Sequence, residues 1–326
     1  MAQPPSDSPT CLLAVNPSAG SVTPELVRQV TARCREHGAR VRPWATTSAG
    51  TVSRDLLATL LQAPDPWPDL VIAVGGDGTV RDVAEALVRL DALPARDRPS
   101  PSLVVVPAGT GNSCHRGLWA DRPWPGTLNE VLSGRAVVRH IDLARLAGHD
   151  RVVLIGASCG LIADVTALAA DLRHIPGRER YVAALAKVPA GGYVARPGRV
   201  LVDGRPVFAG PVLMAVVGGV RHRAGTFPVL PESVLDDGLL DVCVVDGGLD
   251  PAEREELAAR IRIGTHLGRP GVVHARGRVV TMERTDGAPL AFEHDGEVWA
   301  HRCSSVTLET LPRTLRVLVP PEPVAG

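Results

Sequence analysis

The sequence predicts a parallel α/β domain followed by a mostly β domain, and three observations carry that expectation. Over the first 140 residues short apolar runs alternate with amphipathic stretches; three of those runs end directly in glycine-bearing turns; and beyond His140 short strands dominate, punctuated by Gly, Pro and Asp turns. Alternating strands and helices imply a parallel sheet with helices on both faces, a Rossmann-like arrangement. Many short strands between turn residues imply a sandwich or barrel. A chain of 326 residues accommodates both, on a prior of roughly 100–200 residues per domain. The first domain is expected over 1–140 and the β-sandwich over 141–305, with the tail 306–326 a candidate to return to the first domain.

The elements follow in order. Residues 1–10 are polar and Pro-rich and read as a loose arm. Cys11-Leu12-Leu13-Ala14-Val15 is a buried strand closed by Asn16-Pro17-Ser18-Ala19-Gly20. Pro24–His37 has helical spacing and meets Gly38 as a C-terminal stop. Arg40–Trp44 reads as a strand and Thr51–Leu61 as an amphipathic helix presenting Leu56, Leu57, Leu60 and Leu61. Asp69–Val74 is a strand running into Gly75-Gly76-Asp77-Gly78-Thr79, with a helix behind it over Arg81–Leu90. Leu103–Val106 is a fourth strand, ending in Pro107-Ala108-Gly109-Thr110-Gly111-Asn112, and Pro125–Leu132 is helical. In the second half the expected strands are Ile141–Leu146, Val152–Ile155, Arg199–Val202, Val212–Val217, Leu239–Val245, Val272–Val273 and Arg278–Met282. Two helical stretches interrupt them, Asp164–Arg173 and Arg180–Val188.

Composition narrows the function classes. Acidic and basic residues number 35 each, so nothing points to a nucleic-acid binder. Lys187 is the only lysine, in Ala186-Lys187-Val188-Pro189. That context fits neither a P-loop nor the strand lysine of a protein kinase, so any phosphoryl transfer needs another cradle. Six scattered cysteines without a C-x-x-C pair read as free thiols in a reducing cytoplasm. The start lacks a signal-peptide pattern, and the longest nearly uncharged stretch, Val152–Ala170, is broken by Gly156, Gly160 and Asp164. A cytoplasmic protein that meets any lipid at the membrane surface is expected.

Chemistry concentrates at three places. In Gly75–Thr79 successive glycines let backbone N–H groups close on phosphate oxygens, and the following helix start favours an anion. Asp77 in such a site makes sense as a partner of magnesium or of ordered water; as a bare turn, the same residues only cap the helix. Gly109-Thr110-Gly111-Asn112 repeats this logic one strand later. Near the C-terminus, Asp295 and Glu297 bracket Gly296, an arrangement that suits proton acceptance or equally a hairpin with solvent-facing charges. His294 is read as a polar surface residue, and Asp236-Asp237-Gly238 as a turn that is also able to take a metal.

These motifs, in this order, resemble the catalytic domain of the diacylglycerol kinase family, which includes bacterial lipid kinases and the sphingosine and ceramide kinases. Asn16–Gly20 resembles the family's first nucleotide loop, with Asn16 and Ser18 facing nucleotide; Gly75–Thr79 is similar to its GGDGT motif, and Pro107–Asn112 to its PxGTGN loop. Asp236–Asp241 is similar to the DGxLD segment, which implies a structural magnesium at Asp237, and Asp295-Gly296-Glu297 to the DGE motif, whose aspartate activates the acceptor hydroxyl. The resemblance implies ATP and Mg2+ as cofactors, a lipid alcohol as acceptor, and an active site between a nucleotide-binding α/β domain and a β-sandwich. The chain departs from the family at Arg81-Asp82, at Ser113-Cys114-His115-Arg116, and at Gly156 and Gly218, where asparagines are frequent. Two alternatives stand beside the lipid kinase. NAD kinases share the GGDGT turn and use an Asn-Glu pair, matched here only by Asn129-Glu130; the other is a non-catalytic nucleotide or lipid binder. A homodimer is the default for oligomers in general.

Overall fold

The computed structural model describes residues 8–46, 50–63, 66–94, 98–172, 174–175, 179–188, 193–223 and 226–321. The chain divides into two compact units, one of residues up to Ile141 together with those from Arg313 onward, the other of Asp142–Pro312. Most of the expected N-terminal arm, the end of the Asp164–Arg173 stretch, Pro189 and the last five residues lie outside the described residues.

The first unit begins β1 (Thr10–Val15), α1 (Pro24–Glu36), β2 (Arg40–Ala45), α2 (Val52–Leu61), β3 (Leu70–Gly75), α3 (Asp77–Asp91), β4 (Ser102–Pro107), α4 (Ser113–Trp119) and α5 (Trp124–Leu132). Strands β2, β1, β3 and β4 lie side by side, all parallel, with Val15 opposite Val74 and Gly75 opposite Pro107. Every residue of β1 and β3 is buried, as apolar runs sandwiched between helices must be. Helix α1 starts where Thr23 Oγ1 accepts the Leu26 N–H (3.1 Å) with Pro24 at the first helical position, and it stops ahead of Gly38 at φ +76°. The core is aliphatic, built from Leu13, Leu56, Leu60, Ile72, Leu87 and Leu103, with Trp119 as its one large aromatic among the described residues.

The chain continues through β5 (Val137–Leu146), β6 (Val152–Val153), β7 (Gly156–Gly160), α6 (Leu161–Asp171), α7 (Glu179–Leu185), β8 (Arg196–Val202), β9 (Arg205–Gly218), β10 (Leu240–Asp246), α8 (Pro251–Ile263), β11 (Val272–Gly277), β12 (Val279–Arg284), β13 (Phe292–His294), β14 (Glu297–Val298) and β15 (Ser305–Val319). In the second unit the pairs formed by β7 to β14 are antiparallel. Long β9 pairs β8 with its first half and β7 with its second, while β10 runs along the other edge of that second half. The last residues of β15 belong to the first unit, where Val317 pairs Leu103 of β4 in parallel.

Several elements differ from expectation. The helix after the glycine turn begins at Asp77, so Asp77-Gly78-Thr79 forms its first turn. Gly156–Gly160, between the expected Val152–Ile155 strand and the expected Asp164–Arg173 helix, is itself a fully buried strand. Helix α6 starts three residues before Asp164. Helices α4 and α8 were not expected. For α8 the signal is present in the residues: Asp250 and Glu253 form a capping box, and Gly264 ends the helix in left-handed conformation.

Candidate active site

The three glycine-bearing turns leave the carboxyl ends of adjacent parallel strands, the position where such sheets bind ligands. They are knitted together by backbone. Asn16 N–H donates to Val74 O (3.1 Å), Ala108 N–H to Gly75 O (2.8 Å) and Ser21 N–H to Ala108 O (3.3 Å). Asn16 Nδ2 donates to Thr79 Oγ1 (3.0 Å), and its Oδ1 accepts the Ser18 N–H (3.0 Å). Asn112, left-handed at φ 54°, closes its own loop: its Oδ1 accepts the Gly109 N–H (2.9 Å) and its Nδ2 donates to Gly109 O (3.0 Å).

Gly76 and Gly109 touch backbone to backbone. A Cβ on Gly76 would lie 3.0 Å from Gly109 Cα, and one on Gly109 would overlap Gly76 Cα outright. The two glycines therefore let the loops close on each other. Asp77 spans the same gap: its Oδ2 accepts the Ser113 N–H (2.9 Å) and its Oδ1 the Cys114 N–H (3.0 Å), so the GGDGT carboxylate fixes the start of α4. Ser18 and Thr110 are exposed beside this frame, and Gly78 is half-buried in the first turn of α3. At Ser113 and Cys114, the first two positions of the Ser113–Arg116 departure, Asp77 uses only the backbone. Arg81 is buried and ion-paired to Asp82 (2.8 Å). Asn129 Oδ1 accepts from Arg33 Nη1 (3.0 Å), and Glu130 pairs with Arg122 (3.3 Å).

In the second unit Asp295 and Gly296 form the turn of the β13–β14 hairpin, both with positive φ (50° and 81°), as a two-residue hairpin loop requires. The hairpin expectation was right in shape, yet Asp295 does not face solvent. It is 8 % exposed, and its carboxylate accepts backbone N–H groups from Leu154 (3.0 Å), Ile155 (2.7 Å) and Gly156 (3.3 Å). Those bonds suit an ionised, acceptor-only carboxylate. Asp295 N–H in turn donates to Gly156 O (2.9 Å). Glu297 is exposed and paired with Arg151 (3.1 Å). His294 is a correction: it is buried, not a surface residue, with rings of Phe292 and Trp299 about it and its Nδ1 3.8 Å from Asp295 Oδ2.

Gly156 and Gly218 are direct cross-strand partners on β7 and β9. A Cβ on Gly156 would lie 3.0 Å from Gly218 Cα, and one on Gly218 would lie 2.9 Å from Gly156 Cα. Each glycine thus requires the other, which makes the two departures from asparagine one structural feature.

The structural magnesium expected at Asp237 meets a different cation. The Asp237 carboxylate contacts the Arg276 guanidinium and accepts the Leu239 N–H (3.0 Å). Arg276 lies opposite Asp241 in the β10–β11 register, and its Nε is 3.2 Å from Asp241 Oδ1, which also receives His274 Nε2 at 3.0 Å. Among the described residues no group of three or more His, Cys, Asp or Glu is placed to hold a metal. A carboxylate already neutralised by a cross-strand arginine does not fit a resident magnesium. Magnesium arriving with nucleotide is another matter, because it is held largely by phosphates.

Comparison with known proteins agrees with this architecture. The diacylglycerol kinase catalytic domain matches residues 10–146, and the YegS C-terminal NAD kinase beta sandwich-like domain matches 156–319. A protein of Xanthomonas oryzae pv. oryzae named "Probable lipid kinase YegS-like" is 31 % identical over 77 % of this chain and 78 % of its own. A "Diacylglycerol kinase" of Bacillus subtilis is 26 % identical over 86 % and 88 %. The crystal structure of a diacylglycerol kinase from Bacillus anthracis shares the fold, with a TM-score of 0.72 at 21 % identity, covering 97 % of this chain and 98 % of that one. With both domain models matched in order, the chain belongs to the diacylglycerol kinase catalytic-domain family, in its two-domain YegS-like form.

Proposed function

We propose that the protein transfers the γ-phosphoryl group of MgATP to the hydroxyl of a membrane lipid, with a diacylglycerol-like alcohol as the first candidate acceptor. The observation that carries this reading is the burial of Asp295 in a nest of three backbone N–H groups, on the segment that resembles the family's DGE motif. A side chain held at both oxygens has the fixed orientation that proton acceptance demands. In the reaction the lipid oxygen bonds to the γ-phosphorus, the bond to the β-phosphate oxygen breaks, ADP leaves, and the hydroxyl proton passes to Asp295. The Gly75–Thr79 and Gly109–Asn112 turns supply N–H groups for the phosphates. Asn16 and Asp77 hold those turns in place, and Asp77 would be the carboxylate to meet the magnesium of the nucleotide. Phosphoryl transfer draws its rate mainly from positioning and charge neutralisation, which suits a site made of backbone and glycine.

The NAD kinase alternative draws no support from Asn129 and Glu130, which tie α5 to Arg33 and Arg122. The relatives' names favour a lipid acceptor, and no helix among the described residues is long and apolar enough to cross a membrane. In this reading the acceptor is met from the surface of the bilayer. Magnesium-dependent ATP consumption, measured alone, with extracted lipid and with NAD, tests the reading. Stimulation by lipid is expected; stimulation by NAD alone moves the activity to NAD kinase, and nucleotide binding without turnover in any arm moves it to a binder.

A further inference from the structure

The Asp295–Gly296 turn rests on a buried charge cluster that none of the motifs contains. Glu293, 1 % exposed, lies two residues before Asp295 on β13. Its Oε2 accepts the Gly296 N–H (2.9 Å), so it grips the second residue of the turn. Its Oε1 receives Arg223 Nη2 (2.7 Å) and the Ser158 hydroxyl. Arg223 is itself buried, and its backbone is locked both ways to Phe227, N–H to O at 2.8 Å and O from N–H at 3.1 Å. Gly156 belongs to the same arrangement. Its N–H reaches Asp295, while a Cβ there would come within 3.1 Å of Arg223 Nη1. The glycine at 156 thus admits the arginine that neutralises Glu293. A carboxylate this deep is retained only where it is paired and fully hydrogen-bonded.

We propose that Glu293, braced by Arg223 and Ser158, is the positioning residue that fixes the Asp295–Gly296 turn and so aims the Asp295 carboxylate. This rests on the kinase reading for its catalytic consequence but not for its structural one. Glu293 touches no reacting atom; it acts through the turn.

The test separates positioning from mere stability. Glu293→Gln alone leaves Arg223 buried without its counter-charge and lowers stability. The double variant Glu293→Gln with Arg223→Met removes both charges, and its Tm is expected to recover most of that loss. If Glu293 positions the turn, the double variant still shows kcat down by about tenfold to a hundredfold, with KM for MgATP within about twofold of wild type. In hydrogen exchange the peptide spanning 152–158 should lose about tenfold or more in protection, while the rest of the molecule keeps its own. Unchanged protection of that peptide in the folded double variant overturns the proposal, whatever the assay of turnover gives. Wild-type protein without lipid-stimulated turnover, together with lost protection in the variant, would sink the kinase reading and leave the positioning role standing.

Discussion

Two aspartates beside glycine, Asp77 and Asp295, are held in opposite ways. Asp77 sits in a frame made of backbone: it takes two N–H groups from the start of α4, between loops whose glycines touch. Asp295 takes three N–H groups as well, but its turn is fixed by side chains far apart in sequence, Glu293, Arg223 and Ser158. The first arrangement is made of backbone and tolerates no added atom where Gly76 meets Gly109. The second depends on a charge pair that only the folded second unit assembles.

Perturbing each aspartate's surroundings sharpens that contrast. The largest effect is expected from Asp295→Asn, which keeps the shape and removes the proton acceptor: turnover should fall about 10²–10⁴-fold, with nucleotide affinity nearly unchanged because the phosphate turns belong to the other unit. Near-normal turnover would remove Asp295 from the chemistry. Gly109→Ala comes next. Its Cβ overlaps Gly76 Cα, backbone against backbone, so neither side can yield cheaply. A cost of about 1–3 kcal/mol is expected, read as a lower Tm, with weaker MgATP binding by isothermal titration. A variant as stable and as tight as wild type would mean the loops do not need their contact.

Smaller effects discriminate the remaining carboxylates. Glu297→Gln removes an exposed partner of Arg151 and should change stability by less than about 1 kcal/mol, with turnover lowered at most a few-fold. A loss comparable to that of Asp295→Asn would give Glu297 a direct part in the reaction. The smallest effect is expected from stripping divalent ions. With Arg276 already on Asp237 and Asp241, EDTA should move the Tm of the nucleotide-free chain by less than about 1 °C. A fall of several degrees, reversed by magnesium, would mean that a cation displaces the arginine at Asp237.

The same contrast explains what was legible in the residues. The parallel strands and their glycine turns were, because β1, β3 and β4 are nearly unbroken apolar runs and because close backbone approach leaves only glycine. That Asp77 would cap α4 was not, since the partner N–H groups lie across a gap that spacing does not reveal. In the second unit the Asp-Gly hairpin was legible, but the inward turn of Asp295 was not. Locally, Glu293-His294-Asp295-Gly296-Glu297 reads as a run of exposed polar residues. Its burial depends on Arg223 and on Gly156, far back in the chain. Strand β7 escaped for a related reason: its end glycines look like turn residues, and only Gly218 opposite Gly156 and Met214 opposite Gly160 show them to be points of strand contact. The Asp237 metal expectation followed a family motif, whereas Arg276 on the neighbouring strand decides that carboxylate's partner.

The most direct test of the central claim is transfer itself. The protein is incubated with γ-labelled ATP, magnesium and diacylglycerol-containing vesicles, and the label is followed into the organic-extractable lipid. Lipid phosphorylation through Asp295 predicts label in phosphorylated lipid with wild-type protein and its near-complete loss with Asp295→Asn. Label appearing only as free phosphate, or in lipid equally with both proteins, would contradict it.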